Sequence, residues 1–402
     1  MNLKVFIKRL KNVGPGAIVA AAIIGPGTVT TASVAGAEYG FALIWGLVFA
    51  VIVTIFLLEM ATRLGIISRK SLGTALREQF KNPLLKYGVI TLSILAIGGG
   101  TIASQSGNLA GGAVGLEIIT GIPTRVGGAI IGITIALLLW KGSYKVLEKA
   151  FIVMVLILTI SFAITAIFVK PSISSIFSSF FPPMIPDGSI LVLISLIGTT
   201  VVPYTLFLQS ATVQERWMGK ESLPESRFDI VTSMIVVGIV SIAILVTSAV
   251  AFPIGTSLSS GADMAIQLEP LLGSWATIVF SIGIFAAGAS SAMAAPLAAA
   301  YALSGLLNWK EDVKSWKFRI VWLSVITFGI TFSTLGYSPV ELIMVTRYAI
   351  GLILPLIIIF LIFVMNNKKY LGEHTNKTWL NIISCVIFII TFILSLQSFG
   401  IF

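Results

Sequence analysis

The chain has 402 residues, of which 57% are hydrophobic and only 10% charged, and its mean hydropathy is +1.03. A soluble domain cannot cover that much apolar surface, so lipid is the solvent this composition fits. The single Cys385 excludes a disulfide framework or a thiolate metal site, and the single His374 sits in the polar stretch from Asn366 to Lys377.

A membrane-crossing helix needs about 20 apolar residues. The N-terminus carries Lys4, Lys8, Arg9 and Lys11 but no short apolar run closed by small residues. It reads as a basic cytoplasmic tail rather than a cleaved leader. Apolar runs then predict spans over 14–37, 42–63, 87–114, 125–140, 149–169, 189–210, 228–252, 275–307, 318–336, 340–365 and 378–399. These make one transmembrane domain over 1–402. It divides into a first repeat of about 14–169, a second of about 189–365, and an extra helix at 378–399.

With the N-terminus inside, every basic residue except Arg125, Lys170 and Arg347 falls in the tail or at a cytoplasmic loop. That asymmetry is a positive-inside pattern. It predicts a multi-pass protein of the cell membrane with its C-terminal tail outside. The net charge of +10 then reflects topology and contact with the lipid bilayer, not nucleic acid.

The first span is interrupted by Gly25-Pro26-Gly27-Thr28, and the sixth by Thr199-Thr200-Val201-Val202-Pro203-Tyr204. Proline removes a backbone donor and disturbs the preceding turn. Each interruption alone reads equally well as a kink. Two of them, five helices apart, point to a transport site at the interface of two repeats. Unwinding frees backbone N–H and C=O groups that protein, water or a ligand must satisfy.

Gly25 to Thr31, then Ala35-Gly36-Ala37-Glu38-Tyr39-Gly40 and Trp45, resemble the first helix of the Nramp metal transporters. Further matches are Leu64-Gly65-Ile66, Gly121-Ile122-Pro123, Tyr144 to Lys149, Phe181-Pro182-Pro183 with Pro186, Pro203 with Leu206-Phe207-Leu208 and Ser210, Ala287-Gly288 with Ser290-Ser291, and Pro355. The resemblance implies an all-α polytopic membrane protein of about eleven transmembrane helices. It further implies the leucine-transporter fold, with a five-plus-five inverted repeat and broken first and sixth helices.

The family's functional residues do not carry over. Its Asp-Pro-Gly-Asn corresponds here to Gly25-Pro26-Gly27-Thr28, and its Met-Pro-His to Val202-Pro203-Tyr204. Its third-helix acids align with Gly98, Gln105 and Asn108, and a later sixth-helix histidine aligns with Gln209. Hydroxyls of Thr28, Thr200, Tyr204 and Thr205, backbone carbonyls and alkyl groups remain. Divalent cations favour charged oxygen ligands, and transition metals favour nitrogen or sulfur.

The leading expectation is therefore a secondary transporter of a small carboxylate-bearing organic solute, an amino acid or a relative such as 5-oxoproline. The solute would be held at the amino end of the half-helix that starts near Gly27 and by Arg347. A divalent cation (Mn²⁺, Fe²⁺ or Mg²⁺), as in the wider family, is the alternative. A transport-dead sensor or scaffold is a third reading.

Arg347 lies about two turns inside the tenth span. An intramembrane Arg marks a functional site by default, with snorkelling to the interface as the plain alternative. Glu59 precedes Arg63 by four residues, which predicts an ion pair, and Glu38 is expected at the interface. Ser290 and Ser291 are a candidate sodium site, with helix packing as the alternative. Gly98-Gly99-Gly100 and Gly111-Gly112 are expected to permit close helix contact. No cofactor is expected, with Na⁺ or H⁺ as the coupling ion. No nucleophile triad, phosphate loop or hydrolase motif suggests an enzyme.

Overall fold

The structure, a computed structural model, describes residues 14–141, 145–310 and 312–400. The basic tail at Lys4, Lys8, Arg9 and Lys11, Tyr144 of the family-like motif and the terminal Phe402 lie outside the described residues.

The described chain is helical. α1 (Pro15–Ile23) and α2 (Pro26–Tyr39) form the broken first pair, followed by α3 (Ile44–Ser68) and α4 (Leu72–Gln79). Next come α5 (Pro83–Thr120), α6 (Thr124–Lys141), α7 (Lys145–Phe168) and the short α8 (Ile173–Ser178). α9 (Ile190–Thr200) and α10 (Pro203–Arg216) form the second broken pair, and α11 (Leu223–Ala251) follows. α12 (Gly261–Ile266) and α13 (Glu269–Leu272) lead into α14 (Ala276–Leu307) and α15 (Trp316–Ser333). α16 (Pro339–Met365), α17 (Lys368–Leu371) and α18 (Thr378–Ser398) complete the chain.

Eight helical stretches among the described residues are long and apolar enough to cross a membrane: α3, α5, α6, α9 with α10, α11, α14, α16 and α18. α1 with α2, α7 and α15 occupy the other three expected spans. Two departures from the predicted boundaries fall at polar ends. α3 continues through Arg63 to Ser68, because Arg63 is buried and hydrogen bonded rather than solvated. α5 begins at Pro83, where the Asn82 side chain accepts from the Leu84 N–H and caps the helix.

α5 runs through the middle of the bundle and packs against α14, α15, α16 and α6. α2 lies against α11, α9 and α16, and α9 also packs on α16. The two broken pairs thus meet α5 and α16 near the centre. The glycine expectation divides. A Cβ on Gly111 would run into Pro26, and one on Gly112 would lie 3.4 Å from the Gly288 Cα, so these two do permit close contact. Gly98 and Gly99 have nothing within 4 Å of a built Cβ. Their face of α5 is open, which corrects the packing expectation there.

Candidate functional site

The two interruptions share one local geometry. α1 stops at Ile24 with ψ 76°, Gly25 is extended, and Pro26 opens α2. α9 stops at Val201 with ψ 82°, Val202 is extended, and Pro203 opens α10. Proline at the first helical position costs no hydrogen bond, because that N–H has no intrahelical partner in any helix. The sequence thus ends one half-helix and pre-sets the next at each break.

Hydroxyls tie the breaks together. Thr28 Oγ1 donates to the Ile23 carbonyl at 2.6 Å and lies 3.3 Å from Thr199 Oγ1. Thr205 Oγ1 donates to the Val202 carbonyl at 2.6 Å. Thr200 Oγ1 donates to the Leu196 carbonyl, while the Thr200 carbonyl accepts from Thr54 Oγ1. Thr28, Thr200, Val202, Tyr204 and Thr205 are each at most 2% exposed, so the site is closed to both sides.

Arg347 fills this centre. It is 4% exposed, which removes the snorkelling alternative. Its Nη1 donates to Ser104 Oγ at 3.0 Å and its Nη2 to Asn108 Oδ1 at 2.7 Å, both on α5. Ser104 Oγ in turn lies 3.2 Å from Tyr204 Oη. Gly27 permits this approach, since a Cβ there would overlap the guanidinium. A permanently charged group is therefore held between the breaks by neutral oxygens, with no carboxylate among the described residues hydrogen bonded to it. No group of three or more His, Cys, Asp or Glu able to hold a metal occurs among the described residues.

The other predicted residues scatter around this centre. Gln105 faces away from Arg347: its Nε2 donates to the Ala292 carbonyl at 3.1 Å and its Oε1 has no protein partner. Gln209 donates to Thr62 Oγ1 at 2.9 Å. Ser291 reaches the first break, with its Oγ 3.4 Å from the Ala22 carbonyl, and a Cβ on Gly25 would lie 2.6 Å from that Oγ. Ser290 is half-buried. The Glu59–Arg63 pair forms at 3.0 Å, and Arg227 joins it from α11 at 2.8 Å.

Two participants were missed. Ser104 stands one helical turn before Asn108, so i,i+4 spacing places them on one face; that signal was readable. Asp229 accepts from the Gly14 and Gly16 N–H groups at 2.9 and 2.8 Å and so closes the amino end of α1. A carboxylate there also complements the helix dipole.

A bundle with two opposed half-helix pairs around one buried polar centre is the architecture of a membrane transporter of the leucine-transporter fold. The family model for natural resistance-associated macrophage protein-like (Nramp) proteins matches residues 16–399, and the chain belongs to that family. The divalent metal cation transporter MntH of Bacillus subtilis is 27% identical over 384 residues, covering 93% of this chain and 88% of that protein. The MntH of Klebsiella pneumoniae is 25% identical over 378 residues, covering 92% and 89%. Among solved structures, the manganese transporter of Eremococcus coleocola superposes with a TM-score of 0.78 at 19% identity, over 98% of this chain and 87% of that one. The transporter MhsT, in complex with L-phenylalanine, gives 0.61 at 15% identity over 94% and 98%.

These findings overturn the carboxylate-solute expectation. Relatives matching nearly the whole chain are named for divalent metal cations. The structure also weakens the argument behind that expectation. Both terminal nitrogens of Arg347 already donate, to Ser104 and Asn108, and of its three nitrogens only the buried Nε has no partner among the described residues.

Proposed function

We propose that the chain is a secondary transporter that moves a hard divalent cation by alternating access through the centre between the two breaks. The observation that carries this reading is the occupant of that centre. Arg347 is a cation, and the surrounding Ser104 and Asn108 oxygens accept from it. At each break the negative carboxyl end of α1 or α9 meets the positive amino end of α2 or α10, so the dipoles favour neither sign. The oxygens that accept from Arg347 are what support a positively charged occupant.

The ligand set then selects the class of cation. The family's acid is Gly25 here and its thioether is Val202, leaving oxygen from Thr28, Ser104, Asn108, Tyr204 and freed carbonyls. Neutral oxygen and water suit Mg²⁺ or Mn²⁺ better than softer ions. The cargo keeps part of its water and binds weakly.

Arg347 and the cargo exclude each other. At about 4 Å and an effective dielectric near 20, a divalent ion meets roughly 8 kcal/mol of repulsion from one positive charge. Arg347 therefore leaves when the cation enters. The family's titratable positions are Gln105, Asn108 and Gln209 here, which supports a coupling ion other than a proton on that route. The contact of Ser291 with the first break supports sodium. The basic loop pattern supports a cytoplasmic N-terminus. Uptake of Mg²⁺ and Mn²⁺ into proteoliposomes, beside Cd²⁺ as a soft competitor, tests the reading. Saturable uptake of the first two, weakly inhibited by Cd²⁺, is expected.

A further inference from the structure

Away from the transport centre, a cavity of about 380 Å³ opens where α3, α11 and the start of α18 meet. Its apolar wall includes Ile55, Val231 and Leu380, and its polar rim holds Glu59, Arg227 and Lys377. It lies at the ends of three membrane-crossing helices, so one side faces acyl chains and the other headgroups. Trp379, half exposed at this mouth, is the residue type that marks a headgroup boundary.

The charges at the rim are unequally committed. Arg63 forms part of the wall, its two terminal nitrogens donating to Glu59, the His374 carbonyl and Asn376, while its buried Nε has no partner among the described residues. Glu59 also accepts from Nε and Nη2 of Arg227 at 3.0 and 2.8 Å. That one carboxylate is shared between two guanidinium groups. Lys377 is exposed and takes part in no ion pair among the described residues. Against Arg63, Arg227 and Lys377 stand the carboxylates of Glu59 and Glu373, so the lining is left with an excess of one positive charge.

The geometry points to this crevice as a binding site for an anionic phospholipid. Its phosphate lies between Arg227 and Lys377, and its acyl chains run down Ile55 and Val231. The lipid supplies the negative charge that the rim lacks and the apolar surface that a free phosphate does not have. A juxtamembrane basic residue contributes about 1 kcal/mol toward anionic lipid, roughly fivefold in affinity.

The test uses the full chain purified in detergent. Thermal midpoint and lipid retention by native mass spectrometry are measured with phosphatidylglycerol, phosphatidylcholine or glycerol phosphate added. Phosphatidylglycerol is expected to be retained and stabilising over phosphatidylcholine, with glycerol phosphate inert. Lys377→Gln, which leaves the Glu59 pairs intact, is expected to cut that preference about fivefold, and Val231→Trp to block retention by filling the apolar wall. Equal retention of the two lipids overturns the assignment. So does a preference unchanged in both variants, or stabilisation by glycerol phosphate alone. Divalent uptake plays no part in these readouts, so their failure leaves the transport reading untouched.

Discussion

Nη2 of Arg347 on α16 donates to Oδ1 of Asn108 on α5 at 2.7 Å, across the gap between the two helix breaks. This bond joins a cation fixed to the chain to Asn108, a position that the Nramp resemblance aligns with an acid. A buried cation facing an amide in place of a carboxylate is accounted for once both are placed. The amide accepts from the guanidinium without adding charge, and Ser104, one turn earlier, does the same at 3.0 Å. Hydrogen bonds to a charged group contribute about 1.5–3 kcal/mol each, enough to hold the side chain in place and few enough to release.

Asn108→Ala removes one of these acceptors and leaves a buried charge short of a partner. A loss of about 2 kcal/mol in stability is expected, read as a lower thermal midpoint. Asn108→Asp has a different expected outcome: a carboxylate beside the guanidinium holds Arg347 in the centre, and uptake falls while the protein stays folded. Comparing the two variants by melting and uptake checks the pair.

Gly27→Ala places a methyl group where the Arg347 guanidinium lies. Overpacking of this kind costs about 1–3 kcal/mol. In an Arg347→Ala background the methyl group has room, so the cost is expected to vanish. A double-mutant cycle on thermal stability that returns additive effects would place Arg347 elsewhere.

Asp229→Ala leaves the Gly14 and Gly16 N–H groups without their acceptor. Freed from that clamp, α1 is expected to swing away from the centre more often. The alkylation rate of a reporter Thr28→Cys measures this, and should rise several-fold over the same reporter with Asp229 intact.

Asp263 closes a capping box with Ser260 at the start of α12. Burial pushes its carboxyl up, but hydrogen bonds from Ser260 and Ser259 outweigh that and hold it below its ordinary value of 3.8. A depressed carboxylate contributes stability that is fully present above the ordinary value and is lost as pH falls through the folded-state value. Melting temperature against pH should therefore drop in that acidic window, and Asp263→Asn should flatten the drop.

The fold was legible because lipid imposes long apolar runs, and because Gly25-Pro26-Gly27 and Val202-Pro203 are incompatible with continuous helix. The loss of charged ligands at Gly25, Thr28, Val202 and Tyr204 was equally legible, and drawing an anionic cargo from it was the error. Sequence showed a charged Arg347 without an acid but not the two neutral oxygens that already face it. Ser104 was within reach of i,i+4 reasoning from Asn108. Asp229 was not, since its contacts with Gly14 and Gly16 cross more than two hundred residues and leave no periodic trace. Gly98 and Gly99 show the converse: small residues suggested a packing face, and the bundle leaves it open.

The central claim is that a divalent cation takes the place of the Arg347 guanidinium, and Arg347→Gln tests it most directly. Gln keeps a polar head for Ser104 and Asn108 and removes the charge. Mn²⁺ uptake into proteoliposomes, at matched amounts of folded protein, should be saturable in the parent chain. In Arg347→Gln the half-saturating concentration should fall at least about tenfold, a modest part of the repulsion removed. Absence of divalent uptake from both proteins, or an unchanged half-saturating concentration in the variant, would contradict the account.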